Sequence, residues 1–521
     1  MAWLDALRAV AALLVVYAHL SHYLLRGARD VSAEWLHAGP AGVMLFFLVS
    51  GYIIPASLER HGDLRRFWLG RLARLYPLYL VVCVLVALTG PLTVSGAVAH
   101  LTMLPQLLGT PLLTPVVWTL SFEMAFYLIV AALFALRLHR ASAWAAVAFA
   151  VAGVATAPLS PSRLAGPALP FLVAAVLALG LAALTARRRR AVLAGALLLL
   201  ALAVTLLLAD QDVSHVWDGL LIPAVMFTGS TIYRAQHGQI PRWHAVLTIV
   251  VVAAALLTNW FAELAALHAL IPRYATRSVI TLAVIGGAFA VGLAGRNRRV
   301  PRFLAWLGLI SYSIYLIHVP LITLLAPALT TLGERLHGPV ELLAVAGFLA
   351  VLFGLAWLAH RFVELPGQRL GRLLTDRLDG PPGQGLGRRL TDRLEGLPGQ
   401  RLGRLLTDRL DRLPGQHLGR LLTDRLDRLP GQRLGRRLTD RLDRRPGQRL
   451  GRPLTDRLDG QPGQRLGGLL AKQRGQGRDD AEEEPVGRAV RVADQAEDGV
   501  RDERAAAQGD EVARGQLPAA Q

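Results

Sequence analysis

Residues 4–22 read LDALRAVAALLVVYAHLSH, one apolar helix with an arginine near its start and a histidine near its end. Arg8 and His19 are eleven residues apart, which at 100° per residue is three turns plus a small offset. They share a face and are separated along the axis by roughly 16 Å. Asp5 and His22, each three residues outside the pair, fall close to the same stripe. An ionisable side chain in a membrane helix is expensive, so it faces protein or a water-filled cavity and marks a site. The same stripe also arises if Arg8 snorkels to inner headgroups and His19 sits at the outer interface. From this stretch alone the two readings stand level.

The apolar character continues well beyond this helix. The chain has 521 residues, 53% hydrophobic and 18% charged, but the average conceals two halves. Up to about residue 360 one apolar run follows another, and each reaches the ~17–25 residues that a spanning helix needs. The Leu/Ala-rich runs lack the alternation of barrel strands. Twelve segments stand out: 4–24, 39–57, 74–90, 114–136, 142–158, 167–184, 191–209, 217–234, 242–259, 275–295, 304–326 and 338–360. The expected fold is all-α, a polytopic transmembrane bundle of about twelve spans over residues 1–365. No small-x-small cleavage site follows Leu20, so the first helix is read as a span and not as a signal peptide.

Arginine placement sets the expected orientation. With a cytoplasmic N-terminus the inner loops hold seventeen arginines, among them Arg60, Arg65, Arg66, Arg71, Arg74 and Arg187 to Arg190. The outer loops hold five: Arg26, Arg29, Arg163, Arg273 and Arg335. Both termini are therefore expected in the cytoplasm of a plasma-membrane protein. The net charge of +19 is largely explained by these loops, so nucleic-acid binding is not implied. The single cysteine, Cys83, excludes an internal disulfide and reads as a small buried residue. No metal-ligand pattern is found.

From Pro366 a sixteen-residue unit repeats, PGQRLGRLLTDRLDGP and its variants, with prolines at 366, 382, 398, 414, 430, 446 and 462. Leucines within each unit have helical spacing, but Pro-Gly is expected to break every potential helix after about three turns. The unit is too short and polar to be a solenoid with its own core. Residues 366–466 are read as low-complexity sequence, and 467–521 as a largely disordered charged tail.

Several segments carry polar groups that lipid disfavours. FWLGRLARLYPLY (Phe67 to Tyr79) puts Arg71 and Arg74 on one helix face, a geometry suited to bidentate phosphate binding and equally to an unliganded cytoplasmic arginine pair. VWTLSFEMAFYL (Val117 to Leu128) carries Glu123 well inside the bilayer, where a carboxylate needs a partner or a proton. LGLISYSIYLIHVPL (Leu307 to Leu321) aligns Ser311, Tyr315 and His318 at i, i+4 and i+7. Counting from the outer helix ends puts His19, Glu123 and His318 at similar depths, with the arginine pair at the inner face.

Taken in order, these motifs resemble the membrane-bound acyltransferase 3 family, which O-acylates bacterial cell-surface sugars and some antibiotics. LDALRAVAALLVVYAH, FFLVSGYII, FWLGRLARLYPLY, WTLSFEMAFYL, LGLISYSIYLIHVPL and HRFVELP (His360 to Pro366) match its motifs over residues 1 to about 366. Ala6 stands where the family usually has Gly, and Val49-Ser50 where Leu-Ser is commoner. The resemblance implies that Arg71 and Arg74 engage acyl-CoA as donor substrate, with no permanently bound cofactor, and that Arg8 and His19 form the essential pair. On this expectation His19 is the general base on an acceptor hydroxyl, a task suited to a side chain whose ordinary pKa is ~6.5. Glu123 would orient His19 or raise its basicity, and His318, Tyr315 and Ser311 would stand on the acceptor side. The acceptor would be a carbohydrate or a small-molecule hydroxyl, and acetyl is the family's commonest donor group. A transporter or flippase of a lipid-linked or anionic substrate is the rival reading, since twelve spans with buried charges suit it too. It predicts duplicated halves, and the first six segments do not repeat their motifs in the last six.

Overall fold

The computed structural model describes residues 2–156, 166–209, 219–266 and 268–378, apart from the side chains of His61, Arg377 and Leu378. Arg163, the first residues of the 217–234 segment and the sequence from residue 379 onward lie outside the described residues. So do the expectations for the repeats after the first and for the charged tail. Among the described residues every regular element is helical, and nine helices are long and apolar enough to cross a membrane.

In chain order the first half comprises α1 (Ala2–Leu20), α2 (Arg26–Trp35), α3 (Ala38–His61), α4 (Leu64–Ala87), α5 (Val94–Leu101), α6 (Trp118–Ala135) and α7 (Ser142–Thr156). There follow α8 (Leu169–Leu184), α9 (Arg189–Ala209), α10 (Leu221–Gln236), α11 (Arg242–Ala266) and α12 (Pro272–Ala294). The last are α13 (Arg302–Leu309), α14 (Ser311–Arg335), α15 (Pro339–Ala359) and α16 (Leu365–Leu378). Eleven of the twelve apolar segments fall on one helix each, and the 304–326 segment is split at Ile310 between α13 and α14; α7, α8 and α10 have only 15, 16 and 16 residues.

Apolar faces sort the helices by depth. α6 is apolar all round, and every residue from Thr119 to Ala132 is buried, so it takes the centre of the bundle. It packs on α9, α3 and α10. Peripheral helices turn large apolar side chains outward, among them Val84, Leu172, Leu197, Val250, Val291, Leu324 and Leu343. In water such a surface would aggregate; facing lipid it is the stable arrangement.

Two glycine contacts set how closely the inner helices approach. A Cβ on Gly51 of α3 would stand 1.8 Å from the Met226 carbonyl oxygen of α10, and one on Gly229 would stand 2.2 Å from the Leu48 oxygen. The helices therefore touch backbone to backbone, and the Ser230 hydroxyl donates to the Gly51 carbonyl at 2.8 Å. On the other flank α13 crosses α1 where Gly308 meets the backbone of Asp5. At one end of the bundle, Arg234 of α10 pairs with Glu59 of α3 and donates to the His139 carbonyl at 2.6 Å. Arg65 of α4 donates from Nε to the Thr185 carbonyl at the end of α8 at 2.9 Å. These contacts gather loops that the arginine count assigns to one side.

The first repeat corrects one expectation. Pro366 does not end a helix: α15 passes through a π-helical turn, His360–Glu364, directly into α16. The Leu365 amide bonds back to His360, five residues earlier. That wider turn admits a residue without an N–H, whose ring would otherwise press on the preceding turn. α16 lies along α4, with Gly367 against Pro77 and Ala73, and Gly371 against Ala73. A Cβ at Gly371 would stand 2.3 Å from the Ala73 methyl.

Gly229→Leu should abolish stable insertion of α10 against α3, since even one methyl collides with backbone and overpacking of this kind costs about 3 kcal/mol or more. A shortened chain ending after Leu378 should keep the melting temperature of the full chain in detergent. One ending at Arg369 should fall below it, because half of α16 is removed from α4. Equal melting temperatures for the two truncations would show that α16 adds no stability.

Candidate active site

The α1 stripe is buried or half-buried from Asp5 to His19, whereas His22, beyond the end of the helix, is exposed. Near the start of α1, the Arg8 guanidinium is 3.9 Å from the Asp5 carboxylate, its side chain is 12% exposed and its Nε has no hydrogen-bond partner. The charges acting most strongly on it are Arg74, Asp5, Glu123 and Arg71, so three helices converge here. α4 is set in position by Asp63, whose side chain caps the helix by accepting from the Arg65 amide at 2.8 Å. Two turns on, the Arg71 guanidinium lies 5.5 Å from the ring centres of both Phe67 and Tyr127, a cation–π contact on two sides.

Glu123 belongs to this cluster. Its carboxylate accepts the hydroxyl of Tyr127, one turn along α6, and it is buried. The expectation that Glu123 stands level with His19 and orients it is not what the fold produces. Residues 114–117 do not extend the helix outward: a 3₁₀ turn, Pro115–Val117, precedes α6, which starts only at Trp118. The segment before it folds back onto α6, where the Gln106 amide donates to Ser121 at 3.3 Å. Glu123 lies one turn beyond Thr119, and its charge acts on Arg8, which puts it on the side of the arginines.

Three turns along α1 from Arg8, His19 donates through Nδ1–H to the Val15 carbonyl at 2.9 Å. A carbonyl only accepts, so the neutral ring carries its proton on Nδ1 and presents Nε2 as a lone pair. The ring centre of His318 is 5.1 Å away, edge to face. His318 is fully buried, its Nδ1 is bonded to the Tyr315 carbonyl at 2.8 Å, and its Nε2 has no partner. The pair thus brings two basic nitrogens of one tautomer to the same level.

Between these levels runs α14. Tyr315 donates to the Val116 carbonyl at 3.1 Å and lies 2.9 Å from the Thr119 hydroxyl, and Ser311 bonds back to Gly308 at 2.9 Å. The structure therefore brings Arg8, Arg71, Arg74 and Glu123 together at one end of the stripe. It brings His19 and His318 together at the other, with Ser311 and Tyr315 between.

Tyr127, Tyr312 and Glu364 escaped the reading of the sequence. Tyr127 holds Glu123, and Tyr312 donates to the Leu75 carbonyl of α4 at 2.8 Å, tying α14 to the arginine helix. Buried Glu364 takes Ser313 of α14 on one oxygen and His360 at 3.1 Å on the other. The i, i+4 spacings of Glu123 with Tyr127 and of His360 with Glu364 carried the signal. Among the described residues no group of three or more His, Cys, Asp or Glu is placed to hold a metal ion.

A family model described as an acyltransferase domain, acyltransferase 3, matches residues 1–361. An acyltransferase of Streptomyces mycarofaciens, MdmB, is 32% identical over 143 residues, 24% of this chain and 37% of that protein. The O-acetyltransferase OatA of Staphylococcus aureus is 37% identical over 93 residues, 16% of this chain and 14% of that protein. The matched part thus spans well under half of either relative. No solved structure matches the chain.

Glu123→Ala leaves three guanidinium groups facing one another and the Tyr127 hydroxyl unpaired. It should lower stability by about 3 kcal/mol, the scale for breaking a buried charged contact. Tyr127→Phe should lower it by only about 1 kcal/mol. Both are read as melting temperatures in detergent, and an unchanged value for Glu123→Ala would remove the carboxylate as counter-charge.

Proposed function

The chain belongs to the acyltransferase 3 family, and we propose that it is an integral-membrane O-acyltransferase using acyl-CoA. The acyl group, acetyl on this reading, passes from the cytoplasmic side to a hydroxyl of a sugar or another cell-envelope or secondary-metabolite acceptor. Both termini then lie in the cytoplasm. The observation that carries the proposal is the His19 imidazole, with Nδ1–H bound to a backbone carbonyl and Nε2 left to accept a proton.

The donor phosphates lie on Arg71 and Arg74, with Arg8 as a further positive charge beside them and Glu123 limiting the repulsion among the three. The thioester reaches along the α1 stripe toward His19. There Nε2 accepts the proton of the acceptor hydroxyl as its oxygen attacks the thioester carbonyl carbon. The tetrahedral intermediate collapses, the C–S bond breaks, and the CoA thiolate leaves with the proton from the imidazolium. Acceptor oxygen, acyl group and proton are then all accounted for, and His19 is neutral again. His318 stands beside the base as a second polar group on the acceptor side.

His19→Ala should abolish transfer while leaving abundance and acyl-CoA binding intact. Replacing Arg71 and Arg74 together by Ala should weaken acyl-CoA binding to purified protein by about 3–6 kcal/mol, since each charge-assisted bond is worth ~1.5–3 kcal/mol. Lys at both positions should restore the charge but not the fork, and so rescue only part of the affinity. Equal binding by wild type and the double-Ala variant would sink the donor-site assignment. No binding by the wild type would favour a transporter.

A further inference from the structure

A small cavity lies between the two ends of the α1 stripe, lined by α1, α3, α6 and α14. Ala11 and Val15 line it from α1, Gly42 and Phe46 from α3, Thr119 from α6 and Tyr315 from α14. Its level follows from helical spacing. Ala11 is one turn beyond Arg8, and Val15 is one turn before His19 and accepts its Nδ1–H. The cavity therefore lies between the level of the arginine cluster and that of the imidazole pair. The space is about 10 Å³ as seen by the centre of a water-sized group, room for roughly one such group.

The close approach of α3 to α1 keeps the cavity this narrow. A Cβ on Gly42 would stand 2.6 Å from the Ala11 carbonyl oxygen and 2.9 Å from Val15 Cγ2. On the far wall the Phe46 ring stacks on Tyr315 with centres 6.3 Å apart and planes 12° apart. The Tyr315 hydroxyl is itself held by Val116 and Thr119. An apolar recess beside two hydroxyls suits a short acyl group: methyl in the recess, carbonyl toward the polar wall.

We propose that this cavity takes the methyl end of the donor's acyl group and restricts that group to acetyl, with Val15 and Phe46 as the residues that set its length. The inference rests on the acyltransferase reading and adds the determinant of donor choice. Each methylene beyond acetyl has to enter a packed wall, and one methylene in a hydrophobic pocket discriminates by ~10–200-fold. Val15→Ala removes two methyls and keeps the backbone carbonyl that holds His19. Phe46→Leu shortens the opposite wall.

The test measures transfer from acetyl-, propionyl- and butyryl-CoA by wild type, Val15→Ala and Phe46→Leu in membranes, with CoA binding measured alongside. The wild type should prefer acetyl over propionyl by ~10-fold or more and over butyryl by ~100-fold or more. Either enlarged variant should raise the propionyl-to-acetyl ratio by ~10-fold at unchanged CoA affinity. Comparable wild-type rates with all three donors would overturn the acyl cavity and leave the acyltransferase reading standing. So would unchanged ratios in two variants that insert and bind CoA. Transfer of none of the three by the wild type would overturn the acyltransferase reading itself, and this proposal with it.

Discussion

Placing three guanidinium groups inside a helical membrane bundle is the constraint on which the rest of the arrangement depends. Arg8, Arg71 and Arg74 repel one another, and the interior screens that repulsion poorly. Glu123 from α6 and Asp5 from α1 supply the opposing charge, and the rings of Phe67 and Tyr127 take the faces of Arg71. The cluster is therefore assembled from three non-consecutive helices, and none of these helices can shift without uncovering a charge. That explains why α6 is buried on all sides although it carries a carboxylate. Its position is dictated by what it must neutralise.

From this cluster the polar path follows α1 and α14, which run beside one another. α14 is anchored at its start on both sides, by Tyr312 to α4 and by Ser313 to Glu364 in the π-helical turn. One helix thus ties the arginine level to the imidazole level. The backbone bonds of His19 and His318 fix both rings in one tautomer without any acidic side chain. The base proposed here therefore gets its orientation from helix geometry, and the carboxylate is left to balance charge.

Much of this was legible in the sequence. Apolar runs long enough to span located the helices, and the eleven-residue interval put Arg8 and His19 on one stripe. The spacing of Ser311, Tyr315 and His318 put them on one face of α14. Glu123 was misjudged because depth was counted from the end of the apolar run. α6 starts at Trp118 beside buried Thr114, Val116 and Val117, so the end of the apolar run does not mark the outer end of the helix. The role of Glu364 was hidden because HRFVELP reads as the end of a span, and a π turn leaves no periodic signature. Contacts such as Tyr127 with Glu123 need no tertiary information, only attention to i, i+4 pairs. Contacts such as Tyr312 with Leu75 do need it.

The docking of α16 on α4 has a consequence for how the gene can change. The docked face is made by Gly367, Gly371 and buried Thr375. The units beginning at Pro382, Pro398, Pro414 and Pro430 carry Gly and Thr at the same three places, whereas the unit beginning at Pro446 adds Pro453 within it. Loss or gain of whole sixteen-residue units among the first five therefore rebuilds an equivalent helix beside α4 whichever copy comes first. Recombination within the array can alter the length of the C-terminal region from strain to strain while the membrane part keeps its last helix.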